Sequence, residues 1–129
     1  MLINLSNHPS PNWSLQQLTA AQVYGKIIDL PFPDVDPSGD EEYIQSLVSD
    51  YMDLISNNSQ LANAERCSSI FNSHLYIHIM GEMTFTFAMV NALQKQGITC
   101  VASTTGRVSS EENGVKISEF QFKQFRKYF

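Results

Sequence analysis

Residues 75–79 (Leu75, Tyr76, Ile77, His78, Ile79) form a run of β-favouring side chains. The run reaches Met80-Gly81-Glu82 and passes directly into a sequence of helical period. Phe85, Ala88, Met89, Ala92 and Leu93 recur at three and four, and Gly97 stands where a left-handed C-cap is wanted. Residues 98–102 then read as a second strand. Strand, helix and strand within about thirty residues make a βαβ unit, and the helical crossover requires its two strands to be parallel. The unit fixes the fold class as α/β with a parallel sheet. It also fixes where a ligand crevice belongs, beyond the carboxyl ends of the strands, at Gly81-Glu82 and Ser103-Thr104-Thr105.

The remaining chain fits around this unit as one domain over residues 1–129. Residues 2–5 and 26–30 supply two more strands. Ser14 opens a helix over 15–24, with Gln17 three residues on as a capping box and Trp13 facing Leu18 as a hydrophobic staple. Leu15, Leu18, Ala21 and Val23 mark its apolar side. Pro31 and Pro33 end the second strand, and Ser38 with Glu41 offers another capping box. A helix over 40–56 follows, with the stripe Ile44, Leu47, Val48, Tyr51, Leu54 and Ile55. Residues 57–73 read as an irregular connection with some helical turns. Past Thr105 the period becomes two, and Asn113-Gly114 is a strong two-residue hairpin turn, so the last strand runs antiparallel. Val115 and Ile117 lie on one face of it and Phe120 and Phe122 on the other, which calls for a bulge near Ser118-Glu119. The aromatic run Phe120, Phe122, Phe125, Tyr128 and Phe129 serves either to cap the core or to form a homodimer surface.

Composition excludes several functions. No apolar run approaches the roughly 18 residues of a membrane span, and residues 1–5 are too short for a secretory signal, so a cytoplasmic location with no membrane partner is expected. The formal net charge of −5 argues against duplex nucleic acid, which needs a basic stripe. Lys116, Lys123, Arg126 and Lys127 nevertheless gather near the C-terminus and leave room for a compact anionic ligand. Cys67 and Cys100 form no Cys-x-x-Cys pair, and Cys100 reads as a buried strand thiol. His74 and His78 would sit about 13 Å apart along a strand, which disfavours zinc, and no metal or other cofactor is expected.

Three segments converge on one sheet edge: Ser6-Asn7-His8-Pro9-Ser10, Gly81-Glu82-Met83-Thr84, and Ser103-Thr104-Thr105-Gly106-Arg107. Hydroxyls, a close-approach glycine, helix-terminal amides and an arginine together suit phosphate. Each residue also has a plainer role. His8 before Pro9 fixes a turn, Glu82 begins a helix, Ser103, Thr104 and Thr105 are ordinary strand residues, and Arg107 pairs with Glu111 or Glu112. His78, inside the central strand, reads as a satisfied core histidine.

Residues 4–10 with Trp13 and Gln17, residues 81–85, and residues 101–107 followed by 120–126 resemble the small CRISPR-associated accessory proteins of type III systems. These are similar to the CRISPR-associated Rossmann-fold sensor domains and ring nucleases. The resemblance implies a Rossmann-like three-layer fold, a homodimer, and a cyclic oligoadenylate bound across the dimer axis. It further implies metal-independent cleavage in which an adenosine 2′-hydroxyl attacks the neighbouring phosphorus. Arg107 and the Gly81 amide would face the phosphate, His8 or Glu82 would accept the proton, and Asn7, Ser10, Thr84, Ser103, Thr104 and Thr105 would hold the ligand. A non-catalytic sensor or sponge, and a protein docking through its aromatic last strand, are the other readings.

Overall fold

The structure, a computed structural model, describes residues 1–57 and 75–129. Apart from Asn57, the irregular connection expected over 57–73 lies outside the described residues. The chain runs β1 (Leu2–Ser6), α1 (Leu15–Ala21), β2 (Ile27–Pro31), α2 (Glu41–Asn57), β3 (Tyr76–Met80), α3 (Met83–Lys95), β4 (Thr99–Glu112) and β5 (Val115–Lys127). Short 3-10 turns at Ser10–Asn12 and Gln22–Tyr24 flank α1. The described strands form one five-stranded sheet in the order β2-β1-β3-β4-β5, with β5 antiparallel to β4 and every other pairing parallel.

Alternation along the strands sorts the core into two halves. Ile3, Leu5, Ile77, Ile79 and Cys100 face Ile55 of α2 and Phe85, Met89, Val90 and Leu93 of α3. Leu2 and Val101 face the opposite way, into a smaller cluster with Trp13, Leu18, Ala21, Tyr24 and Phe125. Among the described residues, helices therefore cover both faces of a mixed α/β sheet, α2 and α3 on one side and α1 on the other.

Local chemistry sets the element ends. Ser14 Oγ accepts from the Gln17 amide at 3.2 Å, but the Gln17 side chain does not return to close the capping box; it reaches 3.1 Å to Ser103 Oγ. Asp40, not Ser38, caps α2, its Oδ1 accepting from the Tyr43 amide at 2.9 Å, because the helix begins at Glu41 and Ser38 lies too far upstream. Gly97, at φ 76°, ends α3 with bonds from its own amide to Gln94 O and from Ile98 N to Leu93 O.

Three expected features are placed differently. Leu15 and Val23 are both 81% exposed; α1 stops at Ala21 and tightens, so Tyr24 takes the inward position against Tyr76. In α2, Leu54 is exposed as well. The bulge lies not at Ser118-Glu119 but at Lys123, since Thr104 faces Gln124 while Thr105 faces Phe122. There it turns Phe122 and Phe125, three residues apart, onto the same face with their rings 4.9 Å apart. Asn113 (φ 53°) and Gly114 (φ 77°) form the hairpin turn. The last aromatics divide: Phe122 is buried, Phe125 and Tyr128 are half-buried against the core, and Phe120 and Phe129 stand outside.

Candidate functional site

β1 lies between β2 and β3, so the crossovers on its two sides run in opposite directions. Ser6 is level with Met80, so the loops opened by Asn7 and Gly81 leave from the same end of the sheet. Pro9 follows within three residues of β1 and leads into the 3-10 turn, which folds Ser10 back toward β2. Its amide and hydroxyl both donate to Asp29, at 2.8 and 2.6 Å.

Beneath this edge runs a chain of buried polar groups. Asn4, 1% exposed in the middle of β1, donates through Nδ2 to Asp29 Oδ1 at 2.7 Å and to the His8 carbonyl at 2.9 Å. Two acceptors fix the carboxamide, so its oxygen must accept. It does so from Ser6 Oγ at 2.8 Å and faces His78 Nδ1 at 2.8 Å. His78 Nδ1 is therefore the protonated nitrogen, and Nε2 is left as an acceptor 2.8 Å from Ser103 Oγ. The Ser103 hydroxyl donates to that nitrogen and accepts from Gln17 Nε2. The indole of Trp13 stands edge-on to the imidazole with centroids 5.3 Å apart, and Phe125 does so at 5.5 Å. Trp13 is itself held by a 2.8 Å bond from Nε1 to the His8 carbonyl.

The electrostatics follow from this enclosure. Burial, with a smaller contribution from the charge of His8, lowers the His78 pKa to about 4, so the ring is neutral at physiological pH. At Asp29 desolvation pushes the pKa up, but hydrogen bonds from the Ser10 hydroxyl, Asn4 and the Ser10 amide outweigh it and leave the carboxyl below its ordinary value. Burial raises the Cys100 thiol to about 12, so it carries no thiolate at neutral pH.

The other sequence-identified residues spread along the edge. Asn7 and His8 are exposed at the end of β1. Gly81 is exposed, and a Cβ there would come within 2.2 Å of the half-buried Phe32 ring, so the missing side chain makes room for that aromatic. Glu82 caps α3, accepting from the Thr84 and Phe85 amides and from the Thr84 hydroxyl. Hydrogen bonds from Phe85 and Thr84 lower its pKa and occupy both carboxylate oxygens. Thr104 Oγ1 is bonded to the Gln124 carbonyl of β5. Ser103, Thr105 and Arg107 alternate along β4 and so share the face of His78, but Arg107 lies about 13 Å beyond Ser103. It donates to Ser118 Oγ on the exposed part of the β4–β5 ribbon, and not to Glu111 or Glu112.

Beside Gly81 opens a cleft of about 530 Å3 lined by Met80, Met83, Phe87, Val90 and Tyr128 among others. Among the described residues no group of three or more His, Cys, Asp or Glu side chains could hold a metal, and no helix is long and apolar enough to cross a membrane.

Sequence reading gives Asn4, Asp29 and Gln17 no role in the site, naming Gln17 only as a cap and Asn4 and Gln17 only among the residues of the resemblance, and sets His78 aside as core. One hint was available, since Asn4 interrupts an otherwise apolar strand and a buried amide requires partners. No curated protein and no solved structure matches the chain. A family model described as "Uncharacterized protein MJ1673 family" matches residues 1–126, and the chain belongs to that family.

Proposed function

We propose that the protein is a Rossmann-like, CRISPR-associated defence protein. It binds a cyclic oligoadenylate at the carboxyl edge of its sheet, and acts on it as a metal-independent phosphodiesterase. The observation that carries this reading is the reversal of the crossovers on either side of β1. In open α/β sheets such a reversal opens the crevice where nucleotides bind. The exposed residues Asn7, His8, Thr105 and Arg107 lie along that edge and offer donors and one guanidinium to phosphate. Sequence likeness to the type III accessory proteins supplies the ligand class.

A homodimer belongs to the same reading. Phe87 is 76% and Phe120 74% exposed, and Met83 and Phe129 are exposed too, large apolar side chains that a subunit contact would cover. Calorimetry with cyclic tetra- and hexa-adenylate, with chromatography of the products, tests the function. Binding with cleavage supports both parts, binding without cleavage removes the phosphodiesterase activity and leaves a sensor or sponge, and absence of binding to either ring overturns the reading. Light scattering showing a monomer at micromolar concentration would remove the dimer.

A further inference from the structure

We infer that Ser103 is an activated nucleophile, held ready by His78 and Asn4, that attacks the phosphorus of a phosphate ester bound at the sheet edge. A hydroxyl becomes nucleophilic when a base accepts its proton and a third group fixes that base, and all three parts are present here. Ser103 Oγ lies 2.8 Å from His78 Nε2, and His78 Nδ1 lies 2.8 Å from Asn4 Oδ1. The carboxamide of Asn4 is itself locked by Asp29 and the His8 carbonyl, so the histidine tautomer is set before any ligand arrives. Trp13 and Phe125 hold the ring edge-on from the protein side. Ser103 itself is only half-buried, at the point where β4 leaves its pairing with β3, so the hydroxyl can be approached.

An anion-binding group accompanies it. The Ser103 amide donates to Met80 Sδ at 3.1 Å, and a thioether is a weak acceptor. A phosphoryl oxygen displacing that sulfur would gain a stronger, charge-assisted bond beside the reacting hydroxyl. Gln17 Nε2, which holds Ser103 Oγ at 3.1 Å, offers a second donor.

The step balances with water as the only co-reactant. Ser103 Oγ forms a bond to phosphorus as the bond from phosphorus to the leaving ester oxygen breaks. The serine proton passes to His78 Nε2 and from there to the leaving oxygen. Water then attacks the phosphoserine diester and gives a proton to His78, which passes it to Ser103 Oγ as the bond from Oγ to phosphorus breaks, and a phosphomonoester is released. This deepens the cyclic-oligoadenylate reading and rests on it for the substrate class. It replaces the ligand's 2′-hydroxyl with a protein nucleophile, so the products end in a simple phosphate rather than a 2′,3′-cyclic one.

An alkyl fluorophosphonate tests the nucleophile without any nucleotide, since attack on its phosphorus expels fluoride and leaves a stable adduct. Intact-mass measurement and peptide mapping of the wild-type chain should find one adduct, on Ser103. It should be absent from Ser103→Ala and form at least tenfold more slowly in His78→Gln, with both variants checked by thermal melting. The exposed Ser109 and Ser110 on the same strand are internal controls that are present even if His78→Gln does not fold. No adduct on Ser103, or labelling of Ser109 or Ser110 at the same rate, overturns the inference. A chain that binds the ring but takes no adduct loses only the nucleophile, and one that takes the adduct but binds no ring loses only the nucleotide reading.

Discussion

The two faces of the sheet are built from the same strands and solve burial in opposite ways. On the α2/α3 face, Ile3, Leu5, Ile77, Ile79 and Cys100 meet an apolar wall in which Phe85 is edge-on to Phe32 at 5.3 Å and to Tyr51 at 5.5 Å. On the α1 face, the same stretches of β1 and β3 bury Asn4 and His78 instead. The first face is stabilised by area removed from water and tolerates any well-packed apolar set. The second depends on every donor meeting its acceptor, because an unpaired buried polar group costs far more than a pair gains.

The largest effect should come from the dry face. Phe85→Ala should cost roughly 3–5 kcal/mol, the range for emptying a buried aromatic position. Chemical denaturation should show a lower midpoint at unchanged slope, and a loss below about 1 kcal/mol would mean that this face is not the main core.

Acid should discriminate between the faces next. Because the His78 pKa is lowered to about 4 from 6.5, the unfolded chain binds its proton first. Its contribution is complete above pH 6.5 and is lost as the pH falls toward 4, a total on the order of 3 kcal/mol. Denaturation between pH 7 and 4 should show this slope in the wild type, and a smaller one in a folded His78→Gln. An equal slope in both would leave acid sensitivity to the carboxylates alone.

Arg107→Ala should leave thermal stability unchanged, since the side chain is exposed and meets only Ser118. It should weaken cyclic-oligoadenylate binding about ten- to a hundredfold, or roughly 1.5–3 kcal/mol, if the guanidinium reaches phosphate. Unchanged affinity in calorimetry would confine the ligand to the inner part of the edge, around Ser103 and His8.

The smallest effect sharpens the contrast itself. Among the described residues Thr86 Oγ1, in α3, is buried and meets no hydrogen-bond partner, a fault that the Asn4–His78 chain does not contain. Thr86→Val keeps the shape and removes the orphan hydroxyl, so melting should show a gain of up to about 1 kcal/mol. A comparable loss would mean that the hydroxyl has a partner in solution.

Local rules accounted for the elements. The period around Phe85 and Met89, the glycine after α3 and the Asn113-Gly114 turn are short-range instructions, and the elements formed where expected except that β4, expected to end near 102, runs on to Glu112. Short-range reading failed where a choice depended on a distant partner. The bulge sits at Lys123 because Phe122 and Phe125 must face the same core, and Gln17 abandons its cap because Ser103, 86 residues away, offers an oxygen. No local pattern shows that Gly81 also makes room for the Phe32 ring.

By itself, then, the sequence determined a parallel α/β domain with a hairpin strand, and the sheet edge at which β1 and β3 deliver their loops, whereas Ser103–Arg107 run on inside β4 as strand. Those features follow from periodicity and from turn chemistry, which act over a few residues. Tertiary structure alone decided that Asp29, Asn4, His78, Ser103 and Gln17, drawn from four strands and a helix, form one connected chain. A hydrogen bond needs atoms within about 3 Å and along a favourable direction, and no local pattern encodes which strand will lie beside which.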